Sequence, residues 1–547
     1  MAEGIAPLLL RRPGWGLTGL VVALVALALL VVWPLSELVR AAGEDGTAGV
    51  RAALSGASGR AVVNTVSTSL AVMLLATAGG TAAALVTERS RAPGRRWLRA
   101  ALVATLVSAP LVSALGWVRA YGRSGLLDDA VGVHWGGLFG PAGIVVVGAA
   151  GTLPLAYLVV AAALAGRGEP DLERAARAAG AGPLTAVRTV TLPLARRAVG
   201  GAAALALVSA VNAFEVPVVL GLPAGFPTMT TRLYQDLTLS ADPAAFTAAT
   251  VLATGLVVVA VLVVAPADVV TGLSQARRTG GPAGAVATGG RRSWWLAGAL
   301  WAFLTVTVAV PLMALVLGAF TRGVGLAPVP ANWSLANFRA AVDPTFWSAL
   351  GNTVRLAAGA ATVVVLLGAL TAALGRGRRG RLLGTAVTLT FAVAGSALAV
   401  AVLLAYGRFL RDTLTIIAIA YVAKFWALGH RPLAGAVDQV PDDLVRAARA
   451  SGAGPLAMLR TVVAPLLQPA LVAAWLLVFL FAVHELTISS LLYGPGKQTL
   501  AVVVLNHQEL GDVGVTSALS VVLTGLIAAA GAVLLVVRRA ARRLAAP

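Results

Sequence analysis

Residues 171–194 read DLERAARAAGAGPLTAVRTVTLPL, and residues 443–466 read DLVRAARASGAGPLAMLRTVVAPL. At an offset of 272 the two stretches agree at 17 of 24 positions, and 272 is almost half of the 547-residue chain. The chain therefore carries an internal duplication, with the shared core R-A-A-R-A-x-G-A-G-P-L marking one polar, arginine-bearing element in each copy. Each copy opens on acidic residues, Asp171 and Glu173 or Asp442 and Asp443, which suit the positive end of a helix dipole. Arg174 and Arg177, like Arg446 and Arg449, lie three residues apart on one helical face. Gly-Ala-Gly-Pro at 180–183 and 452–455 then ends the helix, because glycine accepts a left-handed cap and proline cannot continue the ladder. A second short run, 184–190 or 456–462, leads to Pro193 or Pro465, which predicts a compact helix-turn-helix. Either copy alone also reads as an interfacial amphipathic helix with its arginines on lipid phosphates. Duplication at matching places favours an element that meets another protein.

Around these elements the chain is apolar. Hydrophobic residues make up 59%, charged residues 12%, and mean hydropathy is +0.88, the signature of an integral membrane protein. The formal charge of +20 comes from arginines clustered between apolar runs rather than from one basic face, which points to membrane topology and away from nucleic acid. Without cysteine there is no disulfide, thiolate metal site or cysteine nucleophile.

A helix crossing about 30 Å of hydrocarbon needs roughly 20 apolar residues. Twelve such runs stand in the sequence: 15–36, 62–87, 97–118, 142–165, 197–221 and 246–270, then 294–320, 349–374, 382–406, 412–428, 469–492 and 515–537. They lack the alternation of barrel strands, so helices are expected. The first run follows Arg11 and Arg12 as a secretory signal does, but it is long and reaches Trp33-Pro34-Leu35 without a small-residue cleavage site, so it reads as a retained helix. With the N-terminus inside, 29 of the 42 basic residues fall on the cytoplasmic side and 12 opposite, Lys424 lying within a span. That bias puts both termini and both repeated segments in the cytoplasm. Residues 274–293, Gly-rich and basic, read as a flexible linker between a first half, 1–273, and a second half, 294–547. Six spans in each make the halves parallel repeats.

The repeated segment resembles the cytoplasmic E-A-A-x-x-x-G motif of the membrane-spanning permeases of binding-protein-dependent ABC importers, with its following hydrophobic-Pro pair. The matching positions are Arg174, Ala175, Ala176 and Gly180 with Leu192-Pro193, and Arg446, Ala447, Ala448 and Gly452 with Ala464-Pro465. Arginine stands at the motif's glutamate position in both copies, which implies a rearranged contact with the partner. The stretches FEVPVVLGLP from Phe214, WSALGNTV from Trp347 and ELTISSLLYGPGKQTL from Glu485 are similar to the fused permeases of the iron(III) and thiamine type. The resemblance implies an all-α membrane protein of twelve transmembrane helices in two parallel six-helix halves, the type I ABC importer permease fold. It further implies two ATP-binding cassette ATPase subunits beneath the segments 171–194 and 443–466, an extracytoplasmic substrate-binding protein outside, and coupling through Arg177, Arg449, Pro193 and Pro465 beside the motif residues. Iron(III) or its chelate is the best match for the cargo, with thiamine, polyamine and phosphonate as alternatives.

An ATPase needs a glycine loop with a lysine reaching phosphate. GPGKQT at 494–499 lacks the first glycine, with Leu491 there, and Gln498 follows the lysine, so it reads as a turn. The chain is expected to hold no cofactor, ATP belonging to a partner, and to be no enzyme. Glu215 and Glu485, 35 and 33 residues after Gly180 and Gly452, fall near the outer ends of the fifth and eleventh spans. Acids in lipid are costly, so these two line the pathway, pair structurally or reach the outer interface. Lys424, flanked by Tyr421 and Trp426, reads as a snorkelling lysine. The four histidines are scattered and predict no metal site. The rival reading is a 12-span ion-driven secondary transporter, against which the repeated cytoplasmic motif stands. No clustered carboxylates or nucleophile-base pair suggest a membrane enzyme.

Overall fold

The computed structural model describes residues 15–44, 46–90, 92–166, 170–275, 291–323, 325–375 and 378–544. Arg11, Arg12 and the linker core 276–290 lie outside the described residues. The architecture is helical, with an isolated antiparallel β bridge between Thr321 and Trp333.

Nine helices among the described residues are long and apolar enough to cross a membrane: Leu17–Gly43, Gly56–Arg89, Pro141–Ala165, Val187–Val211, Pro243–Val263, Trp294–Phe320, Pro344–Leu374, Arg460–Val483 and Val513–Val533. Leu382–Thr390 and Gly395–Leu410, bent by 101°, make a tenth if taken together. Two of the twelve expected runs fall short for visible reasons. The run at 97–118 is split into Arg95–Ala104 and Pro110–Tyr121, since Pro110 starts a new helix. The run at 412–428 lies in the Leu414–Val437 helix, whose apolar character is diluted by Lys424, His430 and Arg431.

Four helices pass through a five-residue π turn: Ala28–Val32, Val187–Thr191, Thr305–Ala309 and Leu459–Val463. Each stands two residues before a proline: Pro34, Pro193, Pro311 and Pro465. Proline has no N–H and its ring clashes with the carbonyl four residues back, so a wider turn lets the helix run on instead of breaking. The short runs 184–190 and 456–462 thereby continue through Pro193 and Pro465 into the helices that follow.

Contacts recur at matching places in the two parts of the chain. Gly56–Arg89 packs on Pro141–Gly166, and Pro344–Leu374 packs on Leu414–Val437. Thr65 Oγ1 accepts the backbone N–H of Met229 at 2.7 Å, and Thr353 Oγ1 accepts that of Leu500 at 2.8 Å. Asn64 donates to the Pro227 carbonyl at 2.8 Å, and Asn352 to the Gln498 carbonyl at 3.1 Å. The first helix of each part crosses to the other. Leu17–Gly43 lies on Pro344–Leu374 and Gly395–Leu410, and Trp294–Phe320 lies on Pro110–Tyr121. One large core joins both parts, so they form one packed body.

Candidate functional site

The two repeated segments adopt the same local structure. Helices Pro170–Ala178 and Asp442–Ala450 carry Arg174, Ala175, Ala176 and Arg177, and Arg446, Ala447, Ala448 and Arg449. Gly180 (φ 87°) and Gly452 (φ 79°) then take the left-handed conformation. The next N–H in each, from Ala181 or Ala453, reaches back to the carbonyl of Ala176 or Ala448 at 2.9 and 3.0 Å. That bond closes a Schellman-type C-cap, the reason for glycine there. Ala175, Ala447, Arg446 and both glycines are exposed, as are Pro193 and Pro465, whereas Ala176 and Ala448 are half-buried. Arg446 pairs with Asp443 at 2.7 Å on the surface.

The copies differ underneath. Glu173, expected only to favour the helix dipole, is instead buried, with its carboxylate 3.5 Å from Arg89 Nε at the end of the Gly56–Arg89 helix. Thr191 Oγ1 donates to it at 2.8 Å. At the equivalent position Val445 is fully buried against Val440 and Met458. One segment is held by a polar tie and the other by an apolar socket.

A second cluster lies where the helices on either side break. Val187–Val211 ends at Asn212, and a short helix Glu215–Leu220 follows; Arg460–Val483 ends at His484, and Thr487–Leu492 follows. Glu485 is buried and receives the Lys424 ammonium at 2.5 Å, while its second oxygen accepts the Ile488 N–H at 3.0 Å. Lys424 is therefore a paired residue reaching Glu485, correcting the snorkelling reading. Tyr421 O–H donates to the Glu485 carbonyl at 3.1 Å. Thr487 Oγ1 donates to Glu215 at 3.3 Å, and Asn212 donates to the Ala392 carbonyl, in the bend of the 382–410 pair, at 2.9 Å. Gly395 leaves room for the ammonium, since a Cβ there would stand 2.8 Å from Lys424 Nζ.

The register of the repeat gives this cluster its meaning. Thr487 stands 272 residues after Glu215, the interval of the duplication, and the short helices begin at those two residues. Two equivalent positions can touch across a pseudo-two-fold arrangement only beside its axis. Glu215 and Thr487 are such a touching pair. Glu485 is equivalent to Ala213, so the two acids are not mates, although both belong to the cluster. Among the described residues no three His, Cys, Asp or Glu side chains come together as a metal site.

The sequence matches the family described as binding-protein-dependent transport system inner membrane component over residues 8–277 and 364–545, so the match takes in both copies of the repeated segment. The chain belongs to this family. It is an ABC importer permease, a multi-pass protein of the inner membrane. It is 24% identical over 512 residues to an Fe(3+)-transport system permease protein of Haemophilus influenzae, covering 91% of this chain and 93% of that one. It is 27% identical over 240 residues to a putrescine transport system permease protein of Escherichia coli K12, covering 40% of this chain and 83% of that one. A putative 2-aminoethylphosphonate transport system permease protein of Salmonella paratyphi A is 26% identical over 205 residues, covering 36% of this chain and 77% of that protein. Permeases matched over less than half of this chain agree with a fused, two-half permease.

Proposed function

We propose that the chain forms the whole translocation unit of an ABC importer, twelve spans in two parallel six-helix halves, 1–273 and 294–547, in the type I permease arrangement. The repeated segments dock two separate ATPase subunits in the cytoplasm, where both termini also lie, and a substrate-binding protein delivers cargo at the opposite face. ATP is bound by the partners. Their closure moves the segments around Gly180 and Gly452 as rigid bodies, and the helix bundles rock about the axis between Glu215 and Thr487 to alternate access. Iron(III) or its chelate is the proposed cargo.

The observation that carries this reading is the family match spanning both repeats, joined to a relative of nearly equal length whose name specifies Fe(3+) transport. The test is uptake of radiolabelled iron(III), thiamine, putrescine and 2-aminoethylphosphonate into vesicles holding the chain with its ATPase subunits and binding protein. ATP-dependent accumulation of iron(III) alone is expected. Accumulation of another of these solutes instead would replace iron as cargo, and uptake driven by an ion gradient without ATP would overturn the importer reading.

A further inference from the structure

The axis cluster holds two carboxyl groups and one ammonium, and these three are not held equally. Glu485 is fixed by the Ile488 backbone N–H, and its side chain is 4% exposed. Glu215 is fixed by Thr487 Oγ1 and by the Phe214 backbone N–H at 3.4 Å. Lys424 reaches the site on a four-carbon stem, is 21% exposed, and faces the bare backbone of Gly395. The acids are the rigid members and the base is the movable one.

We infer that Glu215, Glu485 and Lys424 form a cation-selective constriction on the pathway, in which the Lys424 ammonium is a tethered occupant that a cationic solute displaces. The inference rests on the permease reading and names the charge class of its cargo. An anion entering this place meets two carboxyl groups, and to gain the ammonium it must strip Lys424 from Glu485, leaving a buried carboxylate without a partner. A cation exchanges one positive charge for another at Glu485 and finds Glu215 about the axis as a second oxygen ligand. Lys424 swings back as the cation leaves, so the site is never left with an unpaired Glu485. The solute class this selects is a small amine or metal cation.

The natural chain has no cysteine, so Thr487→Cys introduces a single thiol beside the axis. In vesicles containing the chain with its ATPase subunits and ATP, the modification rate of that thiol is measured with a trimethylammonium and a sulfonate methanethiosulfonate of similar size. After correction for intrinsic reactivity, the cationic reagent is expected to react faster by at least about tenfold, the effect of one unit charge roughly 10 Å away at an effective dielectric near 20. Lys424→Gln is expected to raise the ratio and Glu485→Gln to lower it. Equal rates, or preference for the sulfonate, would overturn the cation selectivity while leaving the permease reading standing. A cationic preference indifferent to both substitutions would overturn the tethered occupant. A thiol unreactive to both reagents during ATP turnover would take the site off the pathway and overturn both readings. Ala213→Cys, equivalent to Glu485 on the facing part, supplies the second position should Thr487→Cys fail to insert.

Discussion

Tyr406 donates its hydroxyl to the carbonyl of Leu29 at 2.7 Å, and Tyr121 donates to that of Val306 at 2.5 Å, 377 and 185 residues away in sequence. Leu29 and Val306 each lie five residues before a proline, Pro34 and Pro311, inside a π turn. Their carbonyls are the ones a π turn pairs with residue i+5, and proline has no N–H to give. Each first helix therefore crosses to the other part with one orphaned carbonyl, and a tyrosine there satisfies it.

That relationship sets up a rescue. Tyr406→Phe leaves a carbonyl unsatisfied in an apolar setting, at a cost of about 1–3 kcal/mol. Pro34→Ala restores a backbone N–H that can take up the Leu29 carbonyl. Thermal unfolding in detergent is expected to show Tyr406→Phe lowering the midpoint in the Pro34 chain and having a much smaller effect in Pro34→Ala. Equal shifts in both backgrounds would show that the tyrosine acts through its ring, which packs on Trp33 at 4.9 Å, and not through its hydroxyl.

The left-handed caps of the repeated segments give a second expected outcome. A β-branched residue at Gly180 (φ 87°) or Gly452 (φ 79°) is strained by roughly 1–2 kcal/mol, and no neighbouring atom lies within 4 Å of a Cβ at either position. The strain is local, so Gly180→Val/Gly452→Val inserts normally but tilts the exposed segments. Transport coupled to ATP hydrolysis is expected to fall by an order of magnitude, while Gly180→Asn/Gly452→Asn, which tolerates this conformation, keeps most of it. Unchanged uptake in the well-expressed double valine chain would count against docking through these segments.

Much of this was legible in the sequence, and the limits are physical. Apolar length found most of the helices, because it is a property of consecutive residues, and identity at one fixed offset found the duplication without any knowledge of the fold. The bend at 391–394 and the split before Pro110 escaped, since hydropathy does not register a change of axis within an apolar run. In sequence Lys424 has only Tyr421 and Trp426 beside it and reads as snorkelling, because its partner Glu485 is 61 residues away and is brought there only by folding. Counting from the repeated glycines made Glu215 and Glu485 look equivalent; the short-helix starts align Glu215 with Thr487 instead. The signal that was available is the offset of 272, which holds from the repeated segments through the short helices and pairs an acid with a hydroxyl at those positions.

Close helix crossings supply a third expected outcome. A Cβ at Gly80 would stand 2.7 Å from the Tyr157 backbone nitrogen, and one at Gly368 2.8 Å from the Gly429 carbonyl carbon. The obstruction is backbone in both places, so the helices themselves must separate, as at small-residue crossings in membranes. Gly80→Ala and Gly368→Ala are each expected to destabilise by about 1–3 kcal/mol. Gly151→Ala and Gly359→Ala, which meet nothing within 4 Å, serve as matched helical controls and are expected to leave the unfolding midpoint unchanged. Equal midpoints for test and control variants would remove the crossings as the reason for glycine.

The unequal anchoring of the two repeated segments yields the last outcome. Arg89 and Glu173 are 10% and 7% exposed, so replacing Glu173 with the valine of the other copy strands a buried guanidinium, at about 3–5 kcal/mol. The cost falls on the contact between segment and helix end. Backbone hydrogen exchange is expected to quicken across 172–194 and to stay unchanged across 442–466. Replacing both partners, Arg89→Met with Glu173→Val, removes the stranded charge and builds an apolar socket like that of Val445 with Val440 and Met458. Protection of 172–194 is then expected to return, because a buried pair exchanged whole for packed apolar groups is often neutral or stabilising. If the double variant exchanges as fast as the single one, the hydrogen bond from Thr191 to Glu173, and not the ion pair, holds the first segment in place.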